Sequence, residues 1–141
     1  MKRIFVDTNV MLDLLAKREP FHLDSMQIFS LADLGKVELC ISSLSLVNAH
    51  YILKEVMKLE DARSIIARFK VLVKTYELND KIIELALNDK EFKDFEDGIQ
   101  YYTALEAQCD LILTRNVKDF KNAKLPLMQP NEYLSKINFE S

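Results

Sequence analysis

The sequence predicts an α/β fold in which helices flank a central, mainly parallel sheet. Short apolar segments alternate along the chain with longer segments of helical periodicity, which is the pattern of parallel strands joined by helices. The chain contains only 2 glycines and 3 prolines, so most of it should be regular structure with short connections. Its 141 residues are expected to form a single domain, 1–141.

The first half of the chain gives six elements. Residues 3–7 and 37–42 are short, apolar and partly β-branched, and are predicted to be buried strands; the predicted helices cover 8–17, 22–36, 43–58 and 59–72. Thr8 or Asn9 can cap the first helix, and Pro20 follows its end. Gly35 is suited to ending the second helix.

The second half repeats the alternation. Strands are predicted at 73–78, 110–114 and 125–129, and helices at 79–88, around 94–105 and at 130–137. Asn79 can cap the first of these helices, and Pro130 suits the first turn of the last. The polar residues 115–124 are expected to form a loop or helical turn.

Composition excludes several functional classes. Hydrophobic residues make up 49% and charged residues 29% of the chain, as in a folded globular domain. A net charge of -3 argues against binding to nucleic acid through bulk charge, although a local basic rim around an acidic site remains compatible. Asp7 interrupts the first apolar segment, and no apolar stretch is long enough to span a membrane. Cys40 and Cys109 are expected to be buried thiols, and the expected location is the cytoplasm.

Polar residues follow several predicted strands. Asp7 ends the first strand, Ser42 and Ser43 end the second, and Thr114 ends the strand at 110–114. Asn48 lies in the helix after the second strand, and Asn116 and Asp119 come just beyond Thr114. Because the carboxyl ends of parallel strands meet at one edge of a sheet, these side chains should gather there.

The segment DFEDGIQYYTAL, residues 94–105, places three carboxylates at the start of a helix. Helical spacing puts Asp94 and Asp97 on one face. The neighbouring face carries an apolar stripe made of Phe95, Ile99, Tyr102, Leu105 and Cys109. Glu96 is expected to point elsewhere and to complement the helix dipole. Carboxylates that lie close together repel each other, and Mg²⁺ or Mn²⁺ would relieve that repulsion because hard cations prefer oxygen ligands.

Four blocks in this order resemble a PIN domain of the PilT N-terminus-like branch found beside VapC-type toxins. They are FVDTNVMLDLL, ISSLSLVNAHYIL, DFEDGIQYYTAL and DLILTRNVKDF, and the likeness covers nearly the whole chain. The resemblance implies a three-layer α/β/α sandwich and an Mg²⁺- or Mn²⁺-dependent endoribonuclease that cleaves RNA. It further implies the toxin of a toxin–antitoxin pair, a homodimer and an antitoxin protein as partner.

The resemblance also assigns roles residue by residue. Asp7 matches the first acid of the family, Asp97 the third, and Asp94 an added acid of this branch, so these three are the catalytic candidates and, with Asp119, the candidate metal ligands. The supporting candidates are Thr8, Asn9, Asn48, Thr114 and Asn116. Arg115 and Lys118 are the candidates for binding RNA phosphates, in a row that continues through Lys121 and Lys124.

Two departures from the family pattern keep a second function open. The family usually has a glutamate at the position of Asn48 and often an aspartate at that of Asn116. An asparagine oxygen can bind a metal but adds no charge, so the alternative is a catalytically weakened PIN-fold module that binds RNA or protein. An aspartyl-phosphate mechanism at Asp7 is disfavoured, because such phosphatases usually carry a second aspartate where this chain has Asn9.

Overall fold

The computed structural model describes residues 1–120 and 123–140, and side chains up to residue 138. Its strands are β1 (Lys2–Val6), β2 (Val37–Ser42), β3 (Lys74–Tyr76), β4 (Leu111–Leu113) and β5 (Leu127–Met128). Its α-helices are α1 (Thr8–Leu15), α2 (His22–Asp33), α3 (Ser43–Tyr51), α4 (Ala62–Lys70), α5 (Asp80–Asn88), α6 (Phe95–Glu106) and α7 (Pro130–Glu140). A π-helical turn, Ile52–Val56, extends α3, and a 3₁₀ turn, Val117–Phe120, follows β4.

All five strands are parallel, in the order β3-β2-β1-β4-β5. Alternate residues of β1 therefore enter two different cores: Ile4 and Val6 pack with one group of helices, and Phe5 packs on the opposite face with α6. This arrangement confirms the predicted α/β/α sandwich. β1 lies at the centre of the sheet, so the residue that follows it emerges in the middle of the carboxyl edge.

The two cysteines share the core beneath α6. Cys40 and Cys109 are both buried there, as predicted, and neither forms a disulfide. A hydrogen bond with Cys109 lowers the pKa of the Cys40 thiol.

No helix in the described part of the chain is long and apolar enough to cross a membrane.

The predicted apolar stripe on α6 is wrong at two positions. Phe95 and Leu105 are 45% and 37% exposed, whereas Tyr101 and Ala104 are buried. The side of α6 that enters the core therefore includes Tyr101 and Ala104, which lie in line with Asp97 along the helix.

Gly98 allows α6 to lie close against α5. A Cβ atom at Gly98 would lie 3.3 Å from the Cβ of Ala86, tighter than most real contacts. We expect Gly98→Val to lower the free energy of unfolding by about 1–3 kcal/mol, the usual effect of forcing methyl groups into a packed contact. Urea denaturation measures this change. Glu106→Ala, on the exposed side of the same helix, should change it by less than about 1 kcal/mol; equal effects would contradict the role of Gly98.

Candidate metal centre

Asp7 is a buried carboxylate at the end of the central strand. It caps α1 by accepting a hydrogen bond from the backbone N–H of Thr8 at 2.8 Å, and it accepts another from the Thr114 hydroxyl at 2.7 Å. Burial is the main cause that raises the pKa of Asp7 to about 6, and the charges of Glu96 and Asp119 add to the effect. The two hydrogen bonds act in the opposite direction, so the fold holds this carboxylate firmly while removing it from water.

Asp97 lies in the first turn of α6 and faces the same region. Burial raises the pKa of Asp97 to about 7, and the charges of Asp7, Asp94, Asp119 and Glu96 contribute to the increase. The structure therefore brings Asp7 and Asp97, which are 90 positions apart in the sequence, into electrostatic contact. Two partly desolvated carboxylates that oppose each other's ionisation form a site that a cation would stabilise.

A cavity of about 420 Å³ opens beside Asp97. Its lining residues are Glu91, Lys93, Asp94, Asp97, Lys118 and Asp119. Asp94 and Asp119 are exposed at its rim. Asp94 also caps α6 by accepting a hydrogen bond from the backbone N–H of Glu96 at 2.8 Å, so a structural and an electrostatic role coincide in this residue.

Glu96 contacts a residue of another helix. One of its carboxylate oxygens accepts a hydrogen bond at 3.0 Å from the side-chain amide of Asn48, which lies on α3. Its charge acts on both Asp7 and Asp97. The sequence pattern missed this because helical spacing places Glu96 on another face of α6 but carries no information about where α3 approaches.

The polar residues around Asp7 form its hydrogen-bonding shell. The Asn9 amide lies 3.4 Å from the Asp7 carboxylate and 3.5 Å from the Thr114 hydroxyl. The backbone N–H of Asn116 donates to the Thr114 hydroxyl at 3.0 Å, while the Asn116 residue itself is exposed. Thr114 is fully buried, so its orientation, and through it that of Asp7, is fixed from several sides.

A buried polar network that the sequence pattern did not reveal lies next to this shell. The hydroxyls of Thr8 and Ser45 are 2.7 Å apart, and the amide of Gln100 donates to Ser45 at 3.2 Å. These residues belong to α1, α3 and α6, so the network connects the helix that Asp7 caps with the two helices that carry Asn48 and Asp97. The polar side chain of Gln100, in a mostly apolar helical segment, was the one signal in the sequence, and it did not reveal the partners.

Arg115, a predicted RNA-binding residue, forms an ion pair with a buried carboxylate. Its guanidinium donates to the carboxylate of Asp13 at 2.6 and 3.1 Å and lies 4.0 Å from the ring of Phe21. Asp13 is only 1% exposed and also accepts from Arg18 at 3.0 Å. Two N–H groups of the guanidinium thus donate to Asp13, and they hold the segment after β4 against α1.

Of the other described residues in the predicted basic row, Lys118 lines the cavity and Lys124 does not. Lys93, which the sequence pattern did not single out, lines it as well. Lys121 lies outside the described residues. Tyr101 is buried, so its ring cannot stack on a base, and Tyr102 donates its hydroxyl to Asp89 at 2.6 Å.

The side chains around Asp7 and Asp97 offer the kind of ligand that a hard divalent cation prefers. All the acidic side chains around Asp7 and Asp97 offer oxygen ligands, with neither a histidine nor a thiol among the described groups that act on them. Within residues 1–120 and 123–140, no three His, Cys, Asp or Glu side chains converge closely enough to bind one ion together. Mg²⁺ sites commonly use only one or two carboxylates and keep several water ligands, so Asp7 and Asp97 fit as the protein ligands.

The raised pKa of Asp97 predicts how stability depends on pH without metal. Its ordinary value is 3.8 and its folded value about 7, so folding favours the protonated form. The stability contributed by this group is fully present below about pH 4 and is lost as the pH rises through about 7. In EDTA we expect the Tm to fall between pH 5 and pH 8, and to fall less in Asp97→Asn. The matched control is Asp33→Asn, at the last residue of α2. If the Tm of Asp97→Asn falls between pH 5 and pH 8 as much as that of the wild type, the assignment is refuted.

Comparison with known proteins identifies relatives along nearly the whole chain. The chain is 30% identical over 140 residues to Ribonuclease VapC1 from Aquifex aeolicus (strain VF5), covering 97% of this chain and 96% of the relative. Among solved structures, VapBC2 from Rickettsia felis, bound to a DNA fragment from its promoter, matches with a TM-score of 0.66 at 18% identity over 90% of this chain and 98% of that one. A toxin–antitoxin complex from Klebsiella pneumoniae matches with a TM-score of 0.65 at 22% identity, over 90% and 97% of the two chains.

The Mycobacterium tuberculosis toxin VapC20, described as cleaving the sarcin–ricin loop, has the same fold with a TM-score of 0.61 at 17% identity, over 77% of this chain and 86% of that one. At these identities the solved structures establish the fold alone.

The model of the PIN domain family matches residues 3–118, which include Asp7, Asp94, Asp97 and Thr114. On this match and on the identity to the Aquifex ribonuclease, the chain belongs to the PIN domain family.

Proposed function

We propose that this protein is a divalent-metal-dependent endoribonuclease that cleaves RNA phosphodiester bonds and acts as the toxin of a toxin–antitoxin pair. The observation that carries the proposal is that two partly desolvated carboxylates, Asp7 and Asp97, oppose each other's ionisation, and that Asp97 lines a cavity together with two lysines. The Aquifex relative, a ribonuclease matched over almost its full length, supports the same activity.

Each residue near the site has a distinct role in this proposal. Asp7 and Asp97 hold the cation, either Mg²⁺ or Mn²⁺, while Asp94 and Asp119 add negative charge at the rim. Thr114, Thr8 and Asn9 fix the Asp7 carboxylate through their hydrogen bonds. A bound divalent cation supplies Lewis acidity, which lowers the pKa of water and stabilises the negative charge that develops on the phosphodiester.

RNA binding is assigned to the lysines of the cavity. Lys118 and Lys93 line it together with Asp97, so a phosphate near the acids would lie within their reach. Their positive charge would offset the repulsion between a phosphate and the carboxylates. Arg115 supports the site indirectly, since its ion pair with Asp13 holds the segment between β4 and Lys118.

The partners are inferred from relatives. Structures similar to this chain include VapBC assemblies and a toxin–antitoxin complex, and we infer an antitoxin protein as the partner of this chain. We also propose that it forms a homodimer and that it acts in the cytoplasm, where its RNA substrate is found.

We expect the wild-type protein to cleave single-stranded RNA in Mg²⁺ or Mn²⁺, and EDTA to abolish cleavage. Asp7→Asn and Asp97→Asn remove a negative ligand each and should reduce the cleavage rate by more than about 100-fold, the upper end of what loss of an outer-shell partner costs. Gel analysis of a labelled RNA panel measures the rates.

Asp33→Asn serves as the control and should keep the wild-type rate, because this residue is the last of α2 and takes no part in the site. Equal cleavage by all of these proteins would show that the activity does not arise at the proposed site. Binding of RNA without cleavage by the wild type would instead favour the alternative function as a binding module, in which Asn48 and Asn116 have weakened the site.

We expect Lys118→Ala to weaken RNA binding by removing one phosphate contact. The slope of log Kd against log salt concentration should decrease in magnitude by about 0.7, the value for one contact with a single strand. Fluorescence anisotropy between low and moderate salt measures it, with Asp97→Asn as the background to prevent cleavage. Lys70→Ala, at an exposed lysine ending α4, should leave the slope unchanged; an unchanged slope in Lys118→Ala would exclude Lys118 from the RNA path.

A further inference from the structure

A second cavity, which we call the Phe21 pocket, combines one aromatic ring with several polar side chains. Its volume is about 290 Å³, close to the lower limit for small-molecule sites, so it can receive one flat ring system. The residues that give it this character are Phe21, Asp24, Arg115, Gln129 and Asn131. A ring face with hydrogen-bonding groups beside it is the combination that recognises an unpaired nucleobase.

The Phe21 pocket adjoins the acidic site at the carboxyl edge of the sheet. Because β4 and β5 are parallel to β1, Arg115 and Gln129, which come just after them, lie at the edge where Asp7 emerges. The segment after β4 contributes to both cavities, since Arg115 lines the Phe21 pocket and Lys118 lines the acidic cavity. Three residues span at most about 11 Å, so one RNA strand can place a phosphate in the acidic cavity and a base in the Phe21 pocket.

Phe21 is an exposed ring that the fold holds in place. It is 37% exposed, although it immediately precedes α2. The guanidinium of Arg115 lies 4.0 Å from the ring centroid, and two hydrogen bonds to Asp13 fix that guanidinium in turn. The ring is therefore positioned before any ligand binds, which reduces the ordering that binding requires. Such a ring is the kind of platform on which RNA bases stack.

The polar side chains of the Phe21 pocket can distinguish between bases. Asp24 lies in the first turn of α2 and is half-buried. An ionised carboxylate can only accept hydrogen bonds. Adenine, cytosine and guanine carry an amino group that donates, whereas uracil has carbonyl oxygens instead, which a carboxylate repels. Asp24 therefore favours a base with an amino group over uracil.

We propose that the Phe21 pocket binds one base of the RNA strand whose phosphate enters the acidic cavity. Phe21 stacks on the base, and Asp24 accepts a hydrogen bond from its amino group. Arg115 is a positioning residue, which acts by holding the ring of Phe21. The inference rests on the proposed function because it concerns the same RNA, and it names a base preference that the acids by themselves do not provide.

Phe21→Leu tests the stacking, because leucine keeps apolar volume and removes the aromatic face. Fluorescence anisotropy with labelled oligocytidine measures the affinity, with Asp97→Asn as the background that prevents cleavage. Phe21→Leu should weaken binding by at least about fivefold, the lower end of what one stacked base contributes. Phe21→Tyr keeps the aromatic face and should bind as the background protein does. Tyr51→Leu, which removes an exposed ring at the far end of α3, is the matched control and should leave the affinity unchanged.

The base preference tests the role of Asp24. The background protein should bind oligocytidine about fivefold more tightly than oligouridine of the same length, the lower end of the discrimination that one base contact gives. Asp24→Ala should abolish this preference. Removing a negative charge can strengthen the binding of both RNAs, so the ratio of the two affinities is the readout. A merely structural role of Asp24 would change both affinities by the same factor and leave the ratio as it was.

The outcomes separate this inference from the proposed function. If Phe21→Leu binds oligocytidine as tightly as the background protein does, while Lys118→Ala lowers the salt slope, the Phe21 pocket is overturned and the nuclease proposal stands. An unchanged ratio in Asp24→Ala also overturns the inference. If binding depends on Phe21 and Asp24 as expected but the wild type cleaves no RNA, the inference stands and the nuclease proposal fails. If the background protein binds neither RNA, the inference is overturned.

Discussion

The burial of one carboxylate at the end of the central strand is the constraint on which the site depends. Asp7 follows β1, which has a neighbour on each side, so its side chain emerges in the middle of the carboxyl edge and is largely removed from bulk water. Such a charge is tolerated only where hydrogen bonds compensate its lost hydration. The backbone of α1 and the Thr114 hydroxyl provide them, and they come from the elements that follow β1 and β4.

This constraint determines how α6 must pack. Asp97 can face Asp7 only if the first turn of α6 reaches the carboxyl edge, and the close approach at Gly98 together with the burial of Tyr101 and Ala104 positions the helix accordingly. The network of Thr8, Ser45 and Gln100 connects α6 to α1 and α3. The packing therefore holds carboxylates together against their mutual repulsion, which is an arrangement typical of functional sites.

The basic residues near the site divide into two groups with different roles. Arg115 is matched to a buried partner, because a planar guanidinium can satisfy the Asp13 carboxylate with two donors and also lie against Phe21. Lys118 and Lys93 line the cavity, where a flexible ammonium group can contact a phosphate in several positions. A net charge of -3 is thus compatible with nucleic-acid chemistry, since the relevant charge is local.

The sequence by itself determined the order of the elements, the parallel sheet and the placement of Asp7 and Thr114 at strand ends, because hydrophobic periodicity and strand polarity are local properties of the chain. It did not determine which face of α6 is buried, and so it misjudged the exposure of Phe95 and Leu105 and did not reveal the hydrogen bond between Asn48 and Glu96. Nor could it indicate that Arg115 pairs with Asp13 or that Gln100 reaches Ser45. Those contacts depend on the relative positions of helices far apart in the sequence, which only tertiary packing decides.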